Sequence, residues 1–343
     1  MKLEAKIGQM LMAGFRGLAV GPEHPVIRDI RQHHLGGVVL FDYDVPLSSS
    51  ERNIESVAQV QKLISVLQEA GGHSLLVAVD QEGGEVRRLR EAVDFPALPS
   101  AQVLGASGNP EQTRRAAAET AEGLVRLGFN WNLAPVVDLN LNAQSPVIGG
   151  IGRCFSADPG EVARHAQAFI EGHHQHGVSC SLKHFPGHGS AADDSHMDLV
   201  DVTGSWSRVE LEPYTVLMAA GLADAVMTAH VFNRHIDPDF PATLSQAAIG
   251  GLLRGELGYD GVVITDDMRM GAIANHYGFE TAIERAIAAG VDIVMLANNT
   301  LYEEDAVPRA YAFIRQLVET GRITEERIDE SCARIARMKR SLV

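Results

Sequence analysis

The sequence predicts a single-domain (β/α)8 TIM barrel over residues 1–343, on three observations. Eight short apolar runs rich in Val, Ile and Leu alternate with longer segments of helical period, as repeated βα units around a parallel sheet require. The chain, 343 residues and 45% apolar, is longer than the roughly 250 residues one such barrel uses. Polar and charged residues gather just after the apolar runs, where barrel strands end and functional loops begin.

The eight expected strands are residues 10–15, 37–41, 75–80, 129–135, 179–184, 223–228, 261–265 and 292–297. Between them lie amphipathic segments such as residues 159–174, where Val162, Ala166, Phe169 and Ile170 share one face. Asn109-Pro110 and Asp158-Pro159 supply a capping residue followed by Pro at the first helical position, and Gly290 and Gly321 stand where helices stop. The last segment, about 324–340, starts at the cap Thr324, carries Ile328, Ile335 and Met338 on one stripe and ends in basic residues suited to the negative end of the helix dipole. It is expected to close the barrel. An open doubly wound sheet is the alternative, but no run leads into G-x-G-x-x-G at a helix start, and Gly149-Gly150-Ile151-Gly152 lacks that frame.

A formal charge of -15 without a basic run repels phosphate backbones and anionic lipid, so neither nucleic acid nor membrane is an expected partner. Glu4 and Lys6 interrupt the apolar core an export signal would need, and no stretch of eighteen apolar residues runs without a charge. Cys154, Cys180 and Cys332 are odd in number and widely spaced, which suits reduced thiols. A cytoplasmic protein, monomeric or weakly oligomeric, is expected.

After the third run come Asp80, Gln81, Glu82 and Arg88; after the fourth, Asp138 and Arg153; the fifth ends in Lys183-His184 and leads to His188 and Asp193-Asp194-Ser195-His196. His230 follows the sixth, Asp266-Asp267 the seventh and Asn298-Asn299 the eighth. A single Asp at a strand end usually caps the next helix and a lone His usually satisfies a local hydrogen bond. Such residues at six strand ends imply a polar ligand at the barrel mouth, and the mixture of Arg88, Arg153 and Lys183 with Asp80, Asp138 and Asp266 suits a hydroxyl-rich sugar better than a phosphate. Gly187, Gly189 and Ser190 are read as a loop able to close over substrate.

The stretches VAVDQEGGEVRRL at 77–89, LAPVVDLN at 133–140, IGRCFSADP at 151–159, LKHFPGHGSAADDSH at 182–196, AVMTAHV at 225–231 and LLRGELGYDGVVITDDM at 252–268 resemble, in order, those of glycoside hydrolase family 3, specifically its single-domain bacterial β-N-acetylglucosaminidases of peptidoglycan recycling. The resemblance implies a retaining glycosidase without cofactor or metal, acting on a small N-acetylglucosamine-containing glycoside. It implies Asp266 as nucleophile, His196 as acid/base oriented by Asp194, and Asp80, Arg88, Arg153, Lys183, His184 and His230 as sugar-binding residues. Cys154 stands where such enzymes often have Ser, and Met197-Asp198-Leu199-Val200 is not the commonest continuation, which leaves the aglycone open.

Two other chemistries remain. A His acid/base carries no negative charge to repel phosphate, so phosphorolysis at the same site is one. A metal-dependent barrel hydrolase using His184, His188, His196, His230 and Asp266 is the other, although the first run contains no histidine.

Overall fold

The computed structural model describes residues 1–72, 74–90, 95–195 and 197–340. Eight parallel strands form the core: β1 Leu11–Gly14, β2 Gly37–Val39, β3 Leu76–Val79, β4 Trp131–Asn132, β5 Ser179–Phe185, β6 Ala225–Thr228, β7 Val262–Thr265 and β8 Val294–Leu296. They are hydrogen-bonded in the order β7-β6-β5-β4-β3-β2-β1-β8, and a parallel bridge between Ile264 and Ile293 joins the two ends into a ring. Each expected run holds one strand of the barrel. Helices cover the outside, so every barrel strand is buried along its length, which is why the runs are continuously apolar rather than alternating.

The fourth strand is far shorter than the run that predicts it. Pro135 has no N–H to donate, and asparagine side chains take over ladder positions around it. Asn130 receives the Val77 amide at 2.8 Å and donates to the Leu75 carbonyl at 3.0 Å, while Asn132 exchanges two 3.0 Å bonds with the Gln81 backbone. These bonds fix the start of the chain segment after β3, where charged residues begin.

Helix ends follow their local chemistry. Asn109 caps Pro110–Leu127 by accepting from the Glu111 amide at 3.1 Å, and Asp158 caps Pro159–His174 by accepting from the Glu161 amide at 2.9 Å. Val162, Ala166, Phe169 and Ile170 are all buried. Gly290 ends Phe279–Ala289 at φ 118°, a left-handed conformation that costs a glycine little. The final helix, Glu325–Arg340, starts under Thr324, which accepts from the Arg327 amide at 3.2 Å, and buries Ile328, Ile335 and Met338 at roughly 1.5–3 kcal/mol each. Its Lys339 donates to Gln9 and to the Gly36 carbonyl, and its Arg327 and Arg334 reach the buried Asp292, so the two chain ends seal the barrel end opposite the site. Among the described residues, no helix is long and apolar enough to cross a membrane.

Candidate active site

The segment after β3 turns back on itself as a small antiparallel hairpin, Gln81–Gly83 against Val86–Arg87, with Gly83 and Gly84 at φ 103° and 59°. Gln81 is buried at its base, donates to the Leu89 carbonyl at 2.9 Å and accepts from the Arg88 and Leu89 amides at 3.0 Å. The hairpin thereby presents Asp80, Glu82 and Arg88 to a cavity at the C-terminal ends of the strands. That cavity, about 810 Å³ including its open mouth, is lined by Asp80, Glu82, Arg88, Arg153, Lys183, His184 and Asp266 above apolar Phe41, Met227 and Met295.

Its charges form one continuous chain. Arg88 lies 3.6 Å from Asp80, Asp80 accepts from the Lys183 ammonium at 2.8 Å, and Lys183 also reaches Glu82 at 2.6 Å. Arg153 grips Glu82 with two bonds of 2.8 and 2.7 Å and donates to the Val147 carbonyl at 2.8 Å. His184 meets the Asp138 carboxylate through Nδ1 at 2.7 Å and faces Arg153 through Nε2 at 3.3 Å. With Nδ1–H donating to the carboxylate, the imidazole is left with Nε2 as an acceptor for Arg153.

Burial alone would raise the Glu82 pKa, but Arg153 and Lys183 outweigh it and hold the carboxyl well below its usual range. Burial likewise works to lower Lys183, and Asp80 and Glu82 overcome it and raise its pKa. Asp138, which burial would push up, is held down chiefly by His184 and His188. Glu82, Asp138 and Lys183 thus stay charged, and the bonds among the groups give a rigid array of donors and acceptors suited to ring hydroxyls. Lys183 and His184 are joined by a cis peptide, and Phe185 and Pro186 by another.

Asp266 follows β7 on the cavity wall, its amide donating to the Thr228 carbonyl at 3.3 Å and its carboxylate accepting the Asp267 amide at 2.8 Å. Asp267 has a different task. Its Oδ1 accepts from the Arg269 amide at 3.1 Å and the Ala297 amide at 2.9 Å, lacing β7 to β8, and burial pushes its pKa up to about 6. His230, expected among the sugar-binding residues, is fully buried behind that wall, with Nδ1 on the Thr243 hydroxyl at 2.8 Å and Nε2 on the Asp267 carbonyl at 3.0 Å. The structure does not place it on the cavity. It supports the turn that carries Asp266 and Asp267.

Asp194 is half-buried, and its carbonyl accepts from the Met197 and Asp198 amides at 3.1 and 3.3 Å. His196 lies outside the described residues. The segment before Asp194 departs from the expected closing loop: Gly187 to Ser190 are buried, Glu210 accepts from the Gly189 amide at 3.1 Å and the Ser190 hydroxyl at 2.8 Å, and a Cβ at Gly189 would collide with the Leu139 carbonyl. These glycines permit close packing instead of hinging.

Sequence reasoning set the three cations against Asp80, Asp138 and Asp266, whereas Arg153 and Lys183 converge on Glu82. The D-Q-E-G-G run carried that signal, since an acid two residues beyond a strand-end Asp, before two glycines, returns to the same side of a tight hairpin. Asp138 serves His184 from behind. Among the described residues, no group of three or more His, Cys, Asp or Glu is gathered closely enough to hold a metal ion.

Residues 2–338 match the model of the glycosyl hydrolase family 3 N-terminal domain. A β-hexosaminidase of Xylella fastidiosa (strain M23) is 37% identical over 304 residues, covering 86% of this chain and 85% of that protein, and one of Alkalilimnicola ehrlichii is 36% identical over 327 residues, 93% of this chain and 87% of that protein. A solved glycoside hydrolase family 3 β-N-acetylglucosaminidase from Paenibacillus sp. superposes with a TM-score of 0.91 at 38% identity, over all of this chain and 63% of that longer one. A β-N-acetylhexosaminidase from Beutenbergia cavernae superposes at 0.85 with 30% identity, over 99% of this chain and 98% of that one.

Proposed function

We propose that this chain, which belongs to glycosyl hydrolase family 3, is a cytoplasmic retaining β-N-acetylhexosaminidase that removes terminal β-linked N-acetylglucosamine from muropeptide-type glycosides. The observation that carries the reading is the cavity itself: a carboxylate at a rigid strand end, Asp266, shares one space with the Arg88–Asp80–Lys183–Glu82–Arg153 array and His184. In this reading the array and His184 hold the sugar hydroxyls and Asp266 attacks the anomeric carbon. Protonated His196, oriented by Asp194, gives its proton to the leaving oxygen; neutral His196 then takes a proton from the water that releases the sugar from Asp266. Configuration is retained through two displacements, with a His–Asp pair in place of the usual second carboxylate. The preference for an N-acetyl sugar rests on the names borne by the relatives.

Aryl β-N-acetylglucosaminide and aryl β-glucoside are assayed side by side, with and without inorganic phosphate. The expected result is turnover of the N-acetyl substrate at least about a hundredfold faster, as loss of a dedicated polar contact commonly produces, with free N-acetylglucosamine as product in both buffers. A preference for glucoside overturns the substrate assignment, and a glycosyl phosphate product overturns hydrolysis.

A further inference from the structure

We propose that His188 and Ser195 are positioning residues for the acid/base segment, a proposal that rests on the reading of Asp194 and His196 as that pair. Ser195 sits between them in the chain and is buried, although Asp193 and Met197 near it are exposed. Its side chain and backbone are both engaged. The hydroxyl lies 3.1 Å from His188 Nε2, and the carbonyl accepts from the Ala272 amide at 3.3 Å. One contact ties the segment to the chain that follows β5, and the other to the chain that follows β7 and carries Asp266.

His188 is itself fixed from below. Its amide donates at 2.8 Å to Asp138, the same carboxylate that orients His184, so one buried acid holds the sugar-facing imidazole and, through His188, the serine of the acid/base segment. The His188 ring is almost fully buried, and its Nδ1 has no hydrogen-bond partner among the described residues. A proton on that nitrogen would be a buried unsatisfied donor, which is unfavourable. The proton therefore belongs on Nε2, from which it is donated to the Ser195 oxygen. A proton-transfer group must be held within a few tenths of an ångström of its place, and groups supporting it from behind commonly do so. Ser195 fits that role because its hydroxyl and its carbonyl are both held by neighbouring chain segments.

The test measures kcat/KM on a series of aryl β-N-acetylglucosaminides whose leaving phenols span a wide pKa range. Variants are Ser195→Ala, Ser195→Thr, His188→Leu and His188→Gln, with His196→Ala in parallel and thermal melting to confirm folding. Loss of a correctly placed acid slows poor leaving groups and spares activated ones. Ser195→Ala and His188→Leu are expected to lose about tenfold on the phenyl glycoside and less than about twofold on the dinitrophenyl one. Ser195→Thr keeps the hydroxyl and His188→Gln keeps an N–H near the same place, so both are expected to recover most of the loss. If His188→Leu does not fold, Ser195→Ala, which removes one oxygen, still decides. A uniform loss across the series in Ser195→Ala, beside a steepened dependence in His196→Ala, overturns the positioning role and leaves the acid/base reading intact. An unchanged dependence in His196→Ala overturns that reading and the proposal with it.

Discussion

Glu210 is buried against the short turn of residues 187–190 that contains His188, and the proton equilibria of the two act on stability with opposite sign over nearly the same pH range. Burial pushes Glu210 up to about 7 despite its bonds from Ser190 and Gly189. A carboxyl whose folded pKa lies above its unfolded value is most favourable when protonated, so stability falls as pH rises from about 4.5 through 7, by an amount on the order of 3 kcal/mol. Asp267, pushed up to about 6, adds a loss of the same sign. Burial pulls His188 down to about 4, and an imidazole held neutral costs stability as pH falls below its unfolded value near 6.5. Between about pH 4.5 and 6.5 the contributions of Glu210 and His188 offset each other, so removing one exposes the slope of the other. Relative to the parent, Glu210→Gln should make the thermal midpoint fall less with rising pH between about 4.5 and 7, and His188→Gln should make it fall more between about 4 and 6.5, read by melting curves from pH 4 to 9. A Glu210→Gln protein with an unchanged slope between about pH 4.5 and 7 would show that its carboxyl is not the group responsible.

At the scale of elements, backbone approach decides more than side-chain chemistry. Gly189 packs where any Cβ would meet the Leu139 carbonyl, and its own carbonyl accepts from the Asn142 amide at 3.0 Å, which ties the β4 and β5 loops together. Gly177, at φ 71°, has open space around the Cβ position. Gly177→Ala is expected to cost about 1 kcal/mol, the strain of a left-handed residue, whereas Gly189→Ala must displace backbone and is expected to cost about 3 kcal/mol or more together with most activity. Comparable losses in denaturant titrations of the two variants would contradict this account of the turn. The same comparison shows why the strands were legible and the loops were not. Continuous apolar runs have one explanation in a sheet covered on both sides, so all eight could be placed. The shortening of β4 and the packed 187–190 turn depend on Asn130, Asn132 and Glu210 bonding to backbone far away in the chain, and local spacing holds no trace of those partners.

For the whole molecule, the barrel explains which parts of the site could be read from sequence. Strand ends must converge on one mouth, so the sequence itself assigns Asp80, Lys183, His184 and Asp266 to a common space. Residues set further along a loop could not be ranked in the same way: Glu82 enters the cavity as the partner of two cations, while His230 turns behind the wall because its two ring nitrogens find Thr243 and the Asp267 carbonyl. The contrast between adjacent Asp266 and Asp267 matters most, since both line the cavity but Asp267 is buried and its Oδ1 is spent on two backbone amides. The most direct measurement is to incubate the enzyme with a 5-fluoro N-acetylglucosaminyl fluoride, which forms the glycosyl-enzyme readily and releases it slowly, and to map the modified peptide by mass spectrometry. The account predicts one sugar per chain attached to Asp266 and none on an Asp266→Asn variant. A sugar on Asp267, or rapid turnover of unmodified enzyme to a product of inverted configuration, would contradict it.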